Sequence, residues 1–284
     1  MAPFITLLLA FAFVFGLLIG SFLNVVAHRV PAGTSILRES RCPHCDTAIK
    51  PWHNIPVIGW ILLRGRCATC RAPISMRYPI VEAFTGVAFA LITWWVLVTV
   101  TTRFASGPSG LTTAEWWAAA IVLVAFFYFA AISIVLTLID MDTRRLPNSI
   151  VLPSYLVAGF LFGLVAWLTA DWASLLRAGI GMAALYAFYF VLRLVRPGGM
   201  GGGDVKLAGV IGIYLGWIGW GALTVGAFAA FVFGGVYGIA LILLRRAGRK
   251  SAIPFGPWMI LGAWTGVLTG ESIGRWYVNL LVGT

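Results

Sequence analysis

Charge is what this sequence has least of. Only 10% of its 284 residues are charged, and nine of them are acidic. Soluble domains ordinarily carry about 25% charged residues, so an ordinary globular enzyme and a disordered chain are both excluded. Cysteine is nearly as scarce. Four residues confined to one segment do not make a disulfide-stapled secreted module. There are three histidines and no HExxH, which removes the helix of a metalloprotease. What the chain has in excess is apolar side chains, at 61%, with a mean hydropathy of +0.96. At about 20 residues per span, the length accommodates roughly eight transmembrane helices.

Long apolar runs fall at about 4–27, 80–100, 116–139, 150–170, 175–195, 207–222, 224–244 and 257–280. They are continuous rather than alternating, which predicts helices and not a barrel. The first lacks a basic n-region and exceeds the length of a signal-peptide core, so it reads as a retained helix. The sixth and seventh are almost continuous, and Glu271 and Arg275 leave the end of the eighth open.

Basic residues set the expected orientation. Eight lie between 28 and 79, and nine more follow the third, fifth and seventh runs: Arg144, Arg145, Arg193, Arg196, Lys206, Arg245, Arg246, Arg249 and Lys250. These 17 share one side of an eight-span arrangement, and only Arg103, Arg177 and Arg275 fall on the other. The positive-inside rule makes the richer side cytoplasmic and turns both termini outward. The net charge of +11 therefore reports topology, and nucleic acid is not an expected partner. The expected organisation is a first helix at 1–27, a polar insertion at 28–79 and a seven-helix membrane body at 80–284. No internal repeat stands out, and the short loop Ala105–Thr113 carries no evident chemistry.

All four cysteines lie in the insertion, as Cys42-Pro-His-Cys45 and Cys67-Ala-Thr-Cys70. Two C-x2-C pairs can supply four thiolates to one tetrahedral Zn²⁺. So small a segment buries little core and gains from a metal staple. A pair of redox or incidental thiols is the other reading, and His44 and His53 are possible substitute ligands or plain loop residues. A closed four-cysteine site leaves no open position, so its zinc would hold shape rather than perform chemistry.

Acids at span ends are costly and few. Four of the nine, Glu82, Asp140, Asp142 and Asp204, gather at the expected cytoplasmic ends. Asp140 and Asp142 precede a turn at Pro147, and two residues of separation keep them off a common helix face. Asp204 follows Pro197-Gly-Gly-Met-Gly201-Gly-Gly203, a stretch unfit for a helix interior but suited to a bend or to close approach of a substrate backbone. It is neither a Walker A loop nor a GxGxxG fingerprint. Each Asp alone also reads as a helix-end residue paired with Arg or Lys. Two Asp-bearing breaks on one side suggest more. Carboxylates meeting at about 4 Å would repel by roughly 4 kcal/mol at an effective dielectric near 20. That would separate their titrations by about three pH units and leave one protonated while the other is ionised, as an aspartyl protease requires. Ser21 and His28 are seven residues apart, about 10.5 Å along a helix, and form no dyad on their own.

These residues resemble the bacterial type IV prepilin peptidases, which are GxGD aspartyl proteases. The likeness rests on Gly20-Ser-Phe-Leu-Asn24 through Pro31, the two C-x2-C pairs and Arg77-Tyr-Pro79 through Gly86. It continues in Ile139-Asp140-Met-Asp142 with Leu146-Pro-Asn148, in Gly201-Gly-Gly203-Asp204, and in Ile253-Pro-Phe-Gly-Pro257. The resemblance implies a catalytic pair of Asp140 and Asp204, supported by Asp142, Gly201, Gly203 and Lys206. It implies cleavage of prepilin or pseudopilin leaders after Gly at the cytoplasmic face of the inner membrane. It also implies N-methylation of the new terminus from S-adenosyl-L-methionine. Glu82 and Asn24 are the candidates on the donor side, although Glu82 reads equally well as a structural partner for an arginine, and no residue independently marks the donor site. The competing readings are an ion- or proton-coupled transporter, whose acids would sit near the midplane, and a noncatalytic zinc-bearing assembly scaffold. The oligomeric state is not readable from the sequence.

Overall fold

Each apolar run becomes a helix in a computed structural model that describes residues 2–100, 103, 111–196, 200–244 and 254–282. In sequence order, α1 is Ala2–Arg29, the short α2 is Ile58–Leu62, and α3 is Arg77–Trp95, which widens into a π-helical turn at Val96–Val100. Then come α4 (Thr113–Thr143), α5 (Asn148–Thr169), α6 (Trp172–Val195), α7 (Gly202–Ile218) and α8 (Trp220–Leu243). The last apolar run is α9 (Gly256–Thr265), a π-helical turn at Gly266–Gly270, and α10 (Glu271–Val282). Among the described residues, six helices are long and apolar enough to cross a membrane: Pro3–Arg29, Arg77–Thr99, Thr113–Thr143, Asn148–Thr169, Trp172–Val195 and Trp220–Leu243. Among the described residues the only extended pairings are two isolated bridges, Arg41 with Ala48 and Arg66 with Pro73. The basic cluster at 245–250, residues 197–199, Ile253 and most of the 105–113 loop lie outside the described residues.

The chain divides into two compact units. One holds residues 1–111 and 126–135, and the other holds 112–125 and 136–284. In the first, α1 packs on α3 through small residues. A Cβ on Gly16 would sit 2.7 Å from the Gly86 Cα, and one on Gly20 2.7 Å from the Glu82 Cα. Apolar side chains gain nothing by leaving lipid for a neighbouring helix, so close backbone approach of this kind is what joins spans. Phe15, Phe89 and Phe127 extend the contact, with Phe89 and Phe127 stacked at 4.1 Å.

In the second unit α7 is the most enclosed helix, buried from Leu207 to Trp217 without a break. It meets α6 across glycine, with Gly216 against the Arg177 carbonyl and the Ala178 Cα. A Cβ on Gly212 would stand 2.8 Å from the Met182 nitrogen. Widening this seam by Gly212→Val is expected to destabilise the protein by roughly 1–3 kcal/mol, read as a lowered Tm in detergent.

The expected boundary between the sixth and seventh spans lay at about 222–224, and the observed break is at Gly219. Two charged side chains explain it. Arg177 donates to the Gly216 and Trp217 carbonyls at 2.6 and 2.9 Å, satisfying acceptors orphaned at the end of α7. Glu271 accepts from the Ala222 N–H at 3.2 Å, its negative charge lying against the positive end of α8. The helical run therefore continues through Glu271, because that carboxylate is spent on a neighbouring helix terminus.

Candidate active site and metal centre

In the second unit, Asp140 occupies the last turn of α4 and is 4% exposed. Its Oδ2 accepts from the Gly256 N–H at 3.1 Å. A Cβ at Gly256 would lie only 2.8 Å from that oxygen, so glycine is what lets the backbone come so near. The helix ends at Arg144, whose left-handed φ of 54° turns the chain while its N–H bonds the Asp140 carbonyl. Leu146 then packs against both Gly203 and Gly256: a Cβ at Gly203 would be 2.8 Å from the Leu146 Cβ, and one at Gly256 3.5 Å from its Cδ2. That shared neighbour joins the two aspartate-bearing breaks.

Asp204 sits half-buried in the first turn of α7, where its Oδ2 accepts from the Gly201 N–H at 3.0 Å. A carboxylate at this position reaching back to the residue before the helix caps it. Asp140 and Asp204 are near enough to act on each other electrostatically. Asp142, 200° round the helix from Asp140 at about 100° per residue, is exposed. Lys206 donates to Asn148 Oδ1 at 2.9 Å, fastening the first turn of α7 to that of α5. The Tyr155 hydroxyl donates to the Lys206 carbonyl, and its ring has room only because residue 209 is glycine.

Three neighbours of the pair were not read from the sequence. Tyr189, buried on α6, lies within electrostatic reach of Asp204 and packs on Phe231 and Phe255. Arg193 lies over Gly202, 2.5 Å from where a Cβ would be. Tyr155 holds the turn from the α5 side. Only the family signature around Gly256 hinted at a partner for Asp140.

In the first unit, the four cysteines converge with their sulfur atoms all within 4.8 Å of one another. They sit on two copies of one turn. Arg41 pairs with Ala48 and Arg66 with Pro73. Cys42 and Cys67 donate backbone N–H groups to Thr47 and Ala72, and Asp46 and Arg71 both return to them with positive φ, 52° and 61°. The copies are 25 residues apart and share Arg-Cys-x2-Cys-x3-Ile, an internal repeat the sequence reading passed over because only four positions match. The Cys67 thiol is pulled down to about 6 by backbone N–H groups of Cys70 and Thr69. At Cys70, despite the Ala72 N–H, desolvation and three neighbouring thiols push the value up to about 11. Four sulfurs this close cannot all ionise without a cation between them. Tetrahedral Zn–S bonds of about 2.3 Å require sulfurs about 3.8 Å apart, and Cys42 and Cys70 are 3.8 Å apart. The thiol set fits such an ion. His44 is exposed, and His53 packs edge-on to Trp52, apart from the four-thiol set.

Glu82 ties the insertion to α3, and Asn24 ties α1 to the start of α3. Glu82 Oε2 accepts from the Val57 N–H at 2.7 Å, with the Ser21 hydroxyl as a second partner. An amide and a hydroxyl thus stand where an arginine was the alternative. Asn24 donates to the Tyr78 carbonyl at 3.2 Å.

Spanning helices with paired aspartates at helix ends, in a chain that also carries a tetrathiol insertion, define a polytopic membrane protein with an aspartate-pair site. Comparison with known proteins agrees. Residues 14–96 match the Bacterial Peptidase A24 N-terminal domain, and residues 127–239 match the Type IV leader peptidase family. The chain is 34% identical to the prepilin leader peptidase/N-methyltransferase of Aeromonas hydrophila, covering 94% of this chain and 92% of that protein. It is 35% identical to that of Stutzerimonas stutzeri (94% and 93%) and 34% identical to that of Neisseria gonorrhoeae (93% and 91%). No solved structure matches. The chain belongs to the type IV leader peptidase family.

Proposed function

We propose that this protein is an intramembrane aspartyl endopeptidase. It removes the leader of type IV prepilins or pseudopilins after Gly at the cytoplasmic face, then N-methylates the new N-terminal residue. The observation that carries the peptidase reading is the pairing of Asp140 on the Gly256 N–H with Asp204 on the Gly201 N–H, joined through Leu146. One carboxylate, ionised, takes a proton from water as it attacks the scissile carbonyl. The other, protonated, donates to the carbonyl oxygen. Collapse of the tetrahedral intermediate breaks the C–N bond: the first group gives its proton to the leaving amine, and the second takes one back from a gem-diol hydroxyl as the new carboxyl group forms. A transporter would place its acids near the midplane, whereas these lie at the last turn of α4 and the first of α7.

Asp142, Gly201, Gly203 and Lys206 support the pair. Gly203→Ala would push a methyl to 2.8 Å from Leu146. Overpacking of that size costs roughly 1–3 kcal/mol, and cleavage in a prepilin assay is expected to fall about tenfold or more. We assign the insertion, 28–79, to a structural zinc on Cys42, Cys45, Cys67 and Cys70, between a first helix at 1–27 and a peptidase body at 80–284. The methyl donor is S-adenosyl-L-methionine. Glu82 and Asn24 remain the donor-side candidates, each also holding a backbone group, the Val57 N–H and the Tyr78 carbonyl. The protein resides in the bacterial inner membrane with both termini outside, as 17 of 20 basic residues argue.

The test is coexpression with a prepilin, followed by mass spectrometry of the mature N-terminus. Cleavage after Gly with an increment of about 14 Da, one CH₃ in place of H, is expected. An intact leader would overturn the peptidase, and a cut but unmodified terminus would remove the second activity.

A further inference from the structure

The insertion carries an apolar face that neither the metal site nor the aspartate pair uses. Ile58, Ile61 and Leu62 stand at i, i+3 and i+4 on α2 and are 53%, 59% and 72% exposed. That spacing puts them on one side of the helix. The opposite side faces inward. Gly59 lies buried against His53, and the Trp60 indole donates to the Ile74 carbonyl at 3.1 Å. Just before α2, Trp52 is exposed with the Lys50 ammonium 5.4 Å from its ring. Just after it come exposed Arg64 and Arg66. From Thr47 to Met76 there are four basic residues, Lys50, Arg64, Arg66 and Arg71, and no acid.

The position of α2 along α3 is the second, independent observation. The Val57 N–H, one residue before α2, bonds Glu82, which is five residues inside the start of α3 at Arg77. At 1.5 Å per residue this is about 7.5 Å along a spanning helix. Interfacial amphipathic helices sit about 5–10 Å into the headgroup and acyl boundary. With Arg77 at headgroup level, the hydrogen bond holds the start of α2 at the depth where an exposed apolar face belongs.

We propose that α2 is an interfacial wedge. Ile58, Ile61 and Leu62 seat in the leaflet that holds the Arg29 and Arg77 ends of α1 and α3, and Lys50, Arg64 and Arg66 rest on anionic lipid phosphates. Phospholipid is favoured over a protein occupant by the run of unopposed positive charge, the exposed tryptophan and the depth. The inference goes beyond the peptidase reading and stands independently of it.

The experiment uses the full chain in nanodiscs of phosphatidylcholine with and without phosphatidylglycerol, with photoreactive benzoylphenylalanine at Leu62. Lipid adducts are expected, enriched in phosphatidylglycerol above its bulk share. The same probe at exposed Glu39 should give none. Arg64→Gln and Arg66→Gln should each reduce the enrichment about fivefold, the factor corresponding to ~1 kcal/mol per basic residue at a membrane surface. Adducts only to peptide of this chain, or to an added prepilin, would overturn the proposal, as would no adduct at Leu62 or equal labelling at Glu39. A repeat with the probe at Ile61 guards against a folding defect at one position, and size-exclusion behaviour confirms the intact chain.

Discussion

Asp140→Asn and Asp204→Asn are each expected to lower leader cleavage by at least about 10³-fold while leaving the protein folded and in the membrane. General acid–base groups contribute roughly 10²–10⁴-fold each, and in a two-carboxylate mechanism either loss stops the proton cycle. Asparagine keeps the shape and can still accept from the Gly256 or Gly201 N–H, so neither helix end loses its hydrogen bond. What it cannot do is take a proton from water or return one to the amine. Asp142→Asn, at an exposed site two residues on, is expected to change the rate far less than Asp140→Asn. The measurement is the ratio of mature to full-length prepilin at matched protein levels. Substantial leader removal by either principal variant would sink the assignment, and so would a collapse of Asp142→Asn to the level of Asp140→Asn.

The helices were legible in the sequence because lipid demands about 20 uninterrupted apolar residues and internally satisfied backbone, and both requirements are local. What was not legible were the ends that a distant side chain decides. The break at Gly219 depends on Arg177 and Glu271, which lie 42 and 52 residues away in sequence and reach the α7 and α8 termini only once the helices pack. Hydropathy alone put that boundary later, within the apolar residues that begin α8.

The candidate site divides the same way. Asp140, Asp204 and the four cysteines are found by spacing, since each motif is contiguous. Their surroundings are not. The Gly256 N–H is 116 residues from the carboxylate it serves, and Tyr189 and Leu146 meet the pair through helix packing that no periodicity encodes. Glu82 shows the reverse case. Its charge marked it both as a donor-side candidate and as a structural partner, and its structural partners proved to be Val57 and Ser21, through which it holds the insertion to α1 and α3.

The insertion has little else to hold it. Its regular structure between α1 and α3 amounts to a four-residue turn at Pro51–Asn54, the five-residue α2 and two single bridges. Of its cysteines only Cys42 is buried. A segment so poor in core depends on whatever joins Cys42–Cys45 to Cys67–Cys70, and structural zinc binding in small peptides is worth about 10–16 kcal/mol. Protein prepared without chelators is expected to carry about one zinc per chain, as one four-thiolate site requires. Cys42→Ser, or a strong chelator, should release it and open residues 36–76 to protease and hydrogen exchange. The spanning helices, held by glycine seams elsewhere, should remain protected. Cleavage is expected to fall with the metal only as far as the insertion positions the substrate, so loss of zinc should raise KM more than it lowers kcat. Absence of metal in a chelator-free preparation would remove the centre outright. An insertion that stayed protected after zinc loss would show instead that the Val57–Glu82 anchor suffices to fold it.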